Sequence, residues 1–383
     1  MDKRLDSVTI KGFRSLRDVT VELSPINVLI GPNGAGKSNF LAFLKMMSLL
    51  RTRSLRAYVA TSGGAATMLH YGPKATPVME FRLEFLQGHH KNAYHAQLGF
   101  AANDSLVFLD ESAGVLNANQ HEWREFSLGS GHTESLIENA ARDPSKPATR
   151  AVNWWLSRIN FFHFHDTSIN STLRTNASTT RYQYLHSDGS NLAAYLLWLS
   201  QAADRNATVA WTRINMLVRE VAPFIKQLKP TPVSALDPES FDITTAEPTS
   251  VRLDWVDQKD VVFGPHQLSD GTLRAIALIT ALAQPSATLP AVISIDEPEL
   301  GLHPAALGVL ASLIRSSSTR SQIILATQSP TFLDHFDPEE VLVTENISGE
   351  TQIRRLDPEH LSKWTEEYKL SELFDMNILG GRP

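Results

Sequence analysis

The sequence contains no cysteine. That absence removes disulfides, thiolate nucleophiles and Cys-based zinc or iron–sulfur sites, and it fits a reducing compartment such as the cytoplasm. Surplus positive charge is missing too: 35 Lys and Arg stand against 41 Asp and Glu, a formal net charge of -6. No whole-chain basic field exists to hold the protein to nucleic acid or to an acidic membrane, so any such contact has to come from a local patch. Long apolar runs are also absent. The longest, Ala275 to Ala283, falls far short of the roughly twenty residues that span a bilayer. The opening Met-Asp-Lys-Arg-Leu-Asp lacks the apolar stretch of a secretion signal. These absences point to a cytoplasmic protein with no membrane partner. What is present is 383 residues with 42% hydrophobic content, enough for a large core and for roughly two or three structural units.

Patterning along the chain suggests how those units are built. Val8 to Val21 reads as β-rich around Gly12, and Ile26 to Ile30 has the character of a strand buried in a parallel sheet. A glycine cluster follows, and Ser38 to Leu50 is apolar on nearly every side, as expected of a helix buried against a sheet. Val78 to Leu86, Tyr94 to Phe100 and Leu106 to Leu109, parted by polar turns at Gln87-Gly88 and Asn103-Asp104, read as an antiparallel meander. From about Asp143 to Pro232 the pattern predicts helices over 149–157, 190–201 and 208–228, with Ser- and Thr-rich loops such as 168–180. The remainder alternates: a helix from Gly271, strands over 291–295, 322–326 and 341–343, and a helix over 304–314. Such alternation implies a mostly parallel α/β sheet. The expected divisions are 1–140, a mainly helical insertion over 141–250, and 251–383.

Three local patterns carry chemistry. Gly31-Pro32-Asn33-Gly34-Ala35-Gly36-Lys37-Ser38 is a complete phosphate-loop pattern, after a predicted strand and at the start of a predicted helix. Its glycines let backbone N–H groups face a phosphate, Lys37 neutralises the outer phosphates, and Ser38 is placed to ligate magnesium. Val292-Ile293-Ser294-Ile295-Asp296-Glu297-Pro298 is an apolar strand ending in paired carboxylates. It places Asp296 at the carboxyl edge of a sheet to hold Mg2+, and Glu297 beside it to orient and deprotonate a water. Leu268-Ser269-Asp270-Gly271-Thr272-Leu273-Arg274 has the form of a helix start, with Ser and Asp as cap residues.

In chain order, the phosphate loop, Leu268-Ser269-x-Gly271, the Asp296-Glu297-Pro298 strand and Ala326-Thr327-Gln328-Ser329-Pro330 resemble the ATPase heads of the ABC superfamily. The similarity is to the RecF, SMC and OLD branch, whose members are often described as AAA-family ATPases. Ile10-Lys11-Gly12-Phe13-Arg14-Ser15-Leu16, Leu69-His70-Tyr71-Gly72-Pro73-Lys74, Phe162-His163-Phe164-His165-Asp166-Thr167 and the final Gly380-Gly381-Arg382-Pro383 extend it over most of the chain. The resemblance implies an α/β P-loop NTPase fold, an ABC-type ATPase head with an antiparallel β subdomain and an inserted α-helical lobe. It implies ATP and Mg2+ as cofactors, with Gly31 to Ser38, Asn39 and Arg14 at the nucleotide, Ser38 and Asp296 at the metal, and Lys37, Glu297 and Gln328 in catalysis. It also implies that Ser269 and Gly271 bind the γ-phosphate held by a second subunit, so that ATP is sandwiched in a head-to-tail homodimer or a higher oligomer. Glu299 to Pro304 sits where such heads communicate.

Departures from the wider superfamily are equally informative. Asp270-Gly271-Thr272 replaces the Gly-Gly-Gln of transporter ATPases, and an inward-facing Asp270 would repel phosphate unless it turns away or caps the helix. Gln328 stands where transporters have histidine, and an amide donates a hydrogen bond without carrying charge, which suggests slow hydrolysis. Gln87 and Gln97 match the glutamine loop by residue type alone. Ser38 and Ser269 are 231 residues apart, and Pro144, Pro147, Pro223, Pro230, Pro232, Pro238 and Pro248 interrupt that interval, so no long coiled-coil arm is expected. With 55 residues after Gln328 there is no room for the TOPRIM nuclease domain of OLD proteins, and a separate nuclease or other effector is the expected partner. Lys45, Arg51, Arg53 and Arg56, and separately Arg142, Lys146, Arg150 and Arg158, are local basic clusters, each a solvated face or a DNA contact. His163 and His165 share a face without enough companions for zinc, and Trp154, Trp155 and Trp198 read as core. The expectation is a switch ATPase in DNA repair or antiviral defence; the alternatives are a transporter ATPase subunit and a slowly hydrolysing ATP sensor or scaffold.

Overall fold

In the computed structural model, which describes residues 3–117, 122–178, 183–233 and 250–382, the chain forms two interleaved units. One comprises Met1–Phe161, Pro290–Glu297 and Ser318–Pro383; the other comprises Phe162–Leu289 and Pro298–Ser317. Residues 179–180 of the predicted loop, Pro238, Pro248 and Pro383 lie outside the described residues.

The first unit begins with β1 (Lys3–Phe13), β2 (Leu16–Glu22) and β3 (Ile26–Ile30), followed by the phosphate-loop helix Lys37–Leu50. Next come β4 (Val78–Gln87), β5 (His90–Ala101), β6 (Ser105–Asn117), β7 (Glu122–Gly129), the helix Pro147–Leu156 and β8 (Ile159–Phe162). The second unit contributes β9 (Ala177–Ser178), β10 (Ile225–Val233), β11 (Ser250–Asp257) and β12 (Val262–Phe263). The chain then supplies β13 (Val292–Asp296), β14 (Gln322–Thr327), β15 (Val341–Ile347) and β16 (Glu350–Arg355) to the first unit.

Two six-stranded sheets organise the first unit, in the orders β2-β1-β4-β5-β6-β7 and β16-β15-β3-β14-β13-β8. The former contains the expected meander, with β1 paired antiparallel to both β2 and β4. In the latter, β3 pairs parallel with β14 and β15, and β14 with β13, while β16 returns antiparallel. All five residues of β3 are buried, including polar Asn27. That side chain is satisfied: its amide donates to the Ser24 carbonyl at 2.6 Å, and its oxygen accepts from the Ser24 N–H at 2.9 Å and from Arg355 at 2.7 Å.

The phosphate-loop helix explains its own all-round apolarity. It contacts β13 and β14, and Phe43 meets Phe13 and Phe81 of the other sheet edge to face, with centroids 5.8 and 5.4 Å apart. A helix packed on both sides has little polar face to show. Farther along the meander, Glu111 is fully buried and accepts from the Tyr94 hydroxyl at 2.6 Å and the Leu136 N–H at 3.0 Å, with His132 Nε2 at 2.8 Å. Burial, and then the adjacent Glu111, push the Tyr94 hydroxyl well above its ordinary pKa, so it stays a neutral donor. Trp155 is core, stacked on Phe85 at 5.2 Å, whereas Trp154 is 38% exposed and Trp198 half-buried.

Within the second unit, the helix expected over 208–228 runs instead over Arg205–Val221, capped by Asp204, which accepts from the Ala207 N–H at 3.0 Å. Pro223 cannot continue a helix, and the chain resumes as β10. Pro230 and Pro232 are tolerated there because β10 is the edge of the sheet β10-β11-β12, where a missing N–H breaks no inner ladder. At 17 residues this helix is the longest among the described residues, and among them no helix is long and apolar enough to cross a membrane.

Ile324, fully buried in the central strand β14, tests how tightly the first unit is packed. Ile324→Val is expected to lower stability by about 0.5–1.5 kcal/mol and Ile324→Ala by about 2–5 kcal/mol, read as shifts in the denaturant midpoint. Equal midpoints for both variants would contradict this packing.

Candidate functional site

Parallel register gathers the motif residues of the first unit along one sheet edge. Thr327 lies opposite Ile30 and Ala326 opposite Leu29, while Asp296 lies opposite Ala326 on the other side of β14. The carboxyl ends of three adjacent strands therefore carry Gly31, Gln328 and the Asp296-Glu297 pair, across two strand spacings of about 4.8 Å each. Open α/β sheets bind ligands at this edge.

At two positions of the phosphate loop the backbone leaves no room for a side chain. Gly36 has φ +107°, and a Cβ there would overlap the Thr351 hydroxyl; a Cβ on Gly31 would overlap the Thr344 carbonyl. Both neighbours belong to the hairpin of β15 and β16, which closes over the loop. Thr351 donates to the Ala35 carbonyl at 2.9 Å, and Asn346 donates to the Gly34 carbonyl at 3.3 Å. Gly34 (φ +79°) faces open space. Lys37, buried at 5% exposure, curls back to donate to the carbonyls of Gly31 at 2.6 Å and Pro32 at 3.0 Å. Its ammonium is thus held inside the loop, where the helix N-terminus adds positive potential. Pro32 is half-buried, Asn33 and Ser38 are exposed, and Ala35 is buried.

Glu297 is a non-glycine residue at φ +44°, and its N–H donates to the Ala326 carbonyl at 2.7 Å. A left-handed residue beyond a strand is strained by roughly 1–2 kcal/mol and persists where its surroundings hold it. Here the turn aims the carboxylate at Gln328, whose Nε2 donates to Glu297 Oε1. Asp296 ends β13 half-buried. Ser38 and Asp296 offer hydroxyl and carboxylate oxygens, a donor set suited to Mg2+, and the buried Lys37 beside bare glycine backbone suits a polyphosphate. The residues therefore fit the cofactors implied by the sequence.

Arg14 occupies the β1–β2 turn at φ +48°, with its N–H donating to the Met68 carbonyl at 2.9 Å and its carbonyl 2.6 Å from His70 Nδ1. Its Nη1 donates to Asn39 Oδ1 at 3.4 Å, and Asn39 in turn donates to Ser15 Oγ at 2.7 Å. Arg14 and Asn39 thus stand together at the start of the phosphate-loop helix. His70, Thr344, Asn346 and Thr351 were not found by motif reading. Thr344, Asn346 and Thr351 meet the loop through a carbonyl, an amide and a hydroxyl from distant sequence, whereas His70, inside the Leu69 to Lys74 stretch, holds the Arg14 carbonyl of the β1–β2 turn.

In the second unit, Ser269 caps the helix Asp270–Leu282, accepting from the Thr272 N–H at 3.2 Å. Gly271 meets backbone: a Cβ there would overlap the Gly301 carbonyl. Asp270 turns to Arg174, 2.7 Å away, and Arg274 donates to the carbonyls of Phe164 at 2.9 Å, His165 at 2.9 Å and Leu300. Arg274 closes the Leu268 to Arg274 stretch, whereas Arg174 lies outside every motif.

Other sequence features fall elsewhere. Gln87 pairs with Lys3, at the opposite end of β1 from Arg14, and Gln97 donates to Glu80 at 3.3 Å. Both basic clusters have cations engaged within the fold: Lys45 lies over Phe161 at 5.5 Å, Lys146 donates to the Ser127 carbonyl at 2.8 Å, and Arg158 lies over Trp154 at 5.2 Å. The rings of His163 and His165 stack at 4.3 Å, and among the described residues no three His, Cys, Asp or Glu side chains cluster to hold a metal.

A family model described as "AAA domain, putative AbiEii toxin, Type IV TA system" matches residues 26–334, spanning the phosphate loop, the Asp296-Glu297 strand and Gln328. The chain belongs to that family. It is 24% identical over 365 residues to the Old nuclease of Escherichia phage P2, covering 87% of this chain and 58% of that relative. The chain thus spans little more than half the length of the curated relative it matches. Among solved structures, an Smc head bound to the C-winged helix domain of ScpA aligns with TM-score 0.56 at 15% identity, covering 94% of this chain and 99% of that one. A Pyrococcus furiosus Smc head domain with an extended coiled coil, bound to the C-terminal domain of ScpA, gives TM-score 0.56 at 15% identity, covering 95% and 99%. The fold is that of an ABC-type P-loop ATPase head, as the motifs implied.

Gly36→Ala combines a left-handed backbone with overlap on Thr351, so it is expected to lower the melting temperature and to weaken ATP binding at least tenfold. Adding Thr351→Ala should recover part of the stability, leaving the backbone strain. A single Gly36→Ala variant that binds ATP normally would contradict the geometry described.

Proposed function

We propose that this protein is a magnesium-dependent ATPase whose ATP-bound state is a head-to-tail homodimer, a switch that acts in DNA repair or antiviral defence with a separate effector such as a nuclease. The observation that carries the hydrolytic part is Glu297, held left-handed at the end of β13 with its carboxylate on Gln328, at the sheet edge that also bears the phosphate loop.

Lys37 exchanges the Gly31 and Pro32 carbonyls for β- and γ-phosphate oxygens, and the glycine backbone N–H groups cradle the phosphates. Ser38 and Asp296 would hold Mg2+, which when bound neutralises charge on the phosphates. Glu297 accepts a proton from water as the water oxygen bonds to the γ-phosphorus; the bond from that phosphorus to the bridging oxygen breaks, and ADP carries the bridging oxygen away. Gln328 orients the Glu297 carboxylate by its hydrogen bond. Arg14 and Asn39 stand by the nucleotide, and Ser269 and Gly271 present a helix N-terminus to the γ-phosphate of a second copy. ATP favours closure because it makes contacts in the closed dimer that the open state lacks.

The effector assignment rests on kinship: the similarity is to a phage nuclease of which this chain spans 58%. A slowly cycling sensor is the second reading, favoured by Gln328, an amide that donates to the Glu297 carboxylate but carries no charge.

For Glu297→Gln the expected outcome is a turnover loss of about 10²–10⁴-fold with ATP binding retained, and accumulation of an ATP-dependent dimer in light scattering. Unchanged turnover would remove Glu297 from catalysis. Gln328→Ala separates the two readings: a rise in turnover identifies Gln328 as a brake, and a fall of tenfold or more identifies it as an orienting group.

A further inference from the structure

Asp270 places a negative charge between Ser269 and Gly271, the two residues proposed above to receive a γ-phosphate. At the first position of a helix a carboxylate favours the helix dipole, yet it repels an incoming anion. Arg174 stands against that charge. Its side chain is 6% exposed, whereas that of Asp270 is 72% exposed. Nε donates to the Thr167 carbonyl at 2.8 Å, Nη1 to the carbonyls of Pro265 at 2.6 Å and Leu268 at 3.1 Å, and Nη2 to Asp270 Oδ1 at 2.7 Å.

One planar fork thus holds the backbone on both sides of the 3-10 turn Pro265–Gln267, up to the residue before Ser269, and also holds the carboxylate after it. A guanidinium taken out of water is costly to the fold, and an apolar side chain would fill the space at lower cost. The charge has a use where a negative group must be cancelled beside an anion site.

We propose that Arg174 is a positioning residue for the phosphate of a second copy's ATP. It neutralises Asp270 and fixes Leu268, so that an acidic signature segment accepts an anion. This rests on the reading that Ser269 and Gly271 take the γ-phosphate. The loop carrying Arg174 thereby becomes part of the dimer switch, although Arg174 itself touches no substrate.

The test uses the full chain with a non-hydrolysable ATP analogue. It measures the analogue concentration that half-assembles the dimer by light scattering and, separately, the binding of a fluorescent ATP analogue to dilute protein. Arg174→Gln should raise the half-assembly concentration at least tenfold without changing binding to the dilute protein. Asp270→Asn alone should lower it about two- to fivefold, because the Arg174 charge is then uncompensated. The double variant should return toward the natural value. That recovery is the decisive readout, since a largely exposed Asp270 left unpaired has little effect on folding and its neutralisation would not repair a merely structural defect. Assembly of Arg174→Gln at the natural concentration, or a double variant no better than the single, overturns the inference. If Arg174→Gln fails to fold, the Asp270→Asn arm decides alone, and an unchanged or raised half-assembly concentration overturns it. Ser269→Arg is the control for the underlying reading: if it assembles normally, that reading fails and the inference with it, whereas loss of assembly there with unaffected Arg174 variants defeats the inference alone.

Discussion

Close approach of bare backbone to the β15–β16 hairpin is the constraint on which the phosphate loop depends. Gly31 lies against the Thr344 carbonyl and Gly36 against Thr351, while Thr351 and Asn346 tie off the carbonyls of Ala35 and Gly34. The loop is therefore shaped from outside as well as by its own sequence. Its rigidity comes from a hairpin more than three hundred residues downstream. That same hairpin meets the β1–β2 turn, since the Thr351 N–H donates to the Ser15 carbonyl at 2.8 Å. Loop, turn and hairpin are joined in one piece, and contacts from the Met68 backbone and the His70 ring hold Arg14 in that turn beside Asn39.

What could be read from the sequence follows from how local each signal is. The strand Ile26–Ile30 and the helix after it were legible because a buried parallel strand and a doubly packed helix need nearly continuous apolar residues. The meander was legible because its turns are short and polar. The break after Val221 is signalled by Pro223, but Ile225 and Leu228 continue a helical spacing as well as they start β10, so the apolar pattern masks it. At the site, Lys37, Asp296 and Glu297 announce themselves by spacing. Thr351, His70 and Arg174 do not, since each works through hydrogen bonds to backbone or to one distant side chain, and such bonds leave no periodic trace.

The two buried arginines of the second unit show a shared device. Arg174 gathers Thr167, Pro265, Leu268 and Asp270, and Arg274 gathers Phe164, His165 and Leu300. Together they fasten the Phe162 to Thr167 segment, the start of the helix Asp270–Leu282 and the residues after Pro298. Three stretches of irregular chain are thus held with the definition of regular structure. Carbonyl groups of these stretches, Thr167, Phe164 and His165 among them, accept from guanidinium donors.

The backbone of Glu297 bears on how this position can change over generations. At φ +44°, glycine or asparagine would relax the turn and discard the carboxylate; aspartate would keep the charge and draw it back by one methylene. Glutamine keeps the reach and gives up the proton acceptor. Each replacement eases the backbone, shortens the reach or removes the carboxylate, so few routes of gradual change at this position keep both the turn and the acid as they stand.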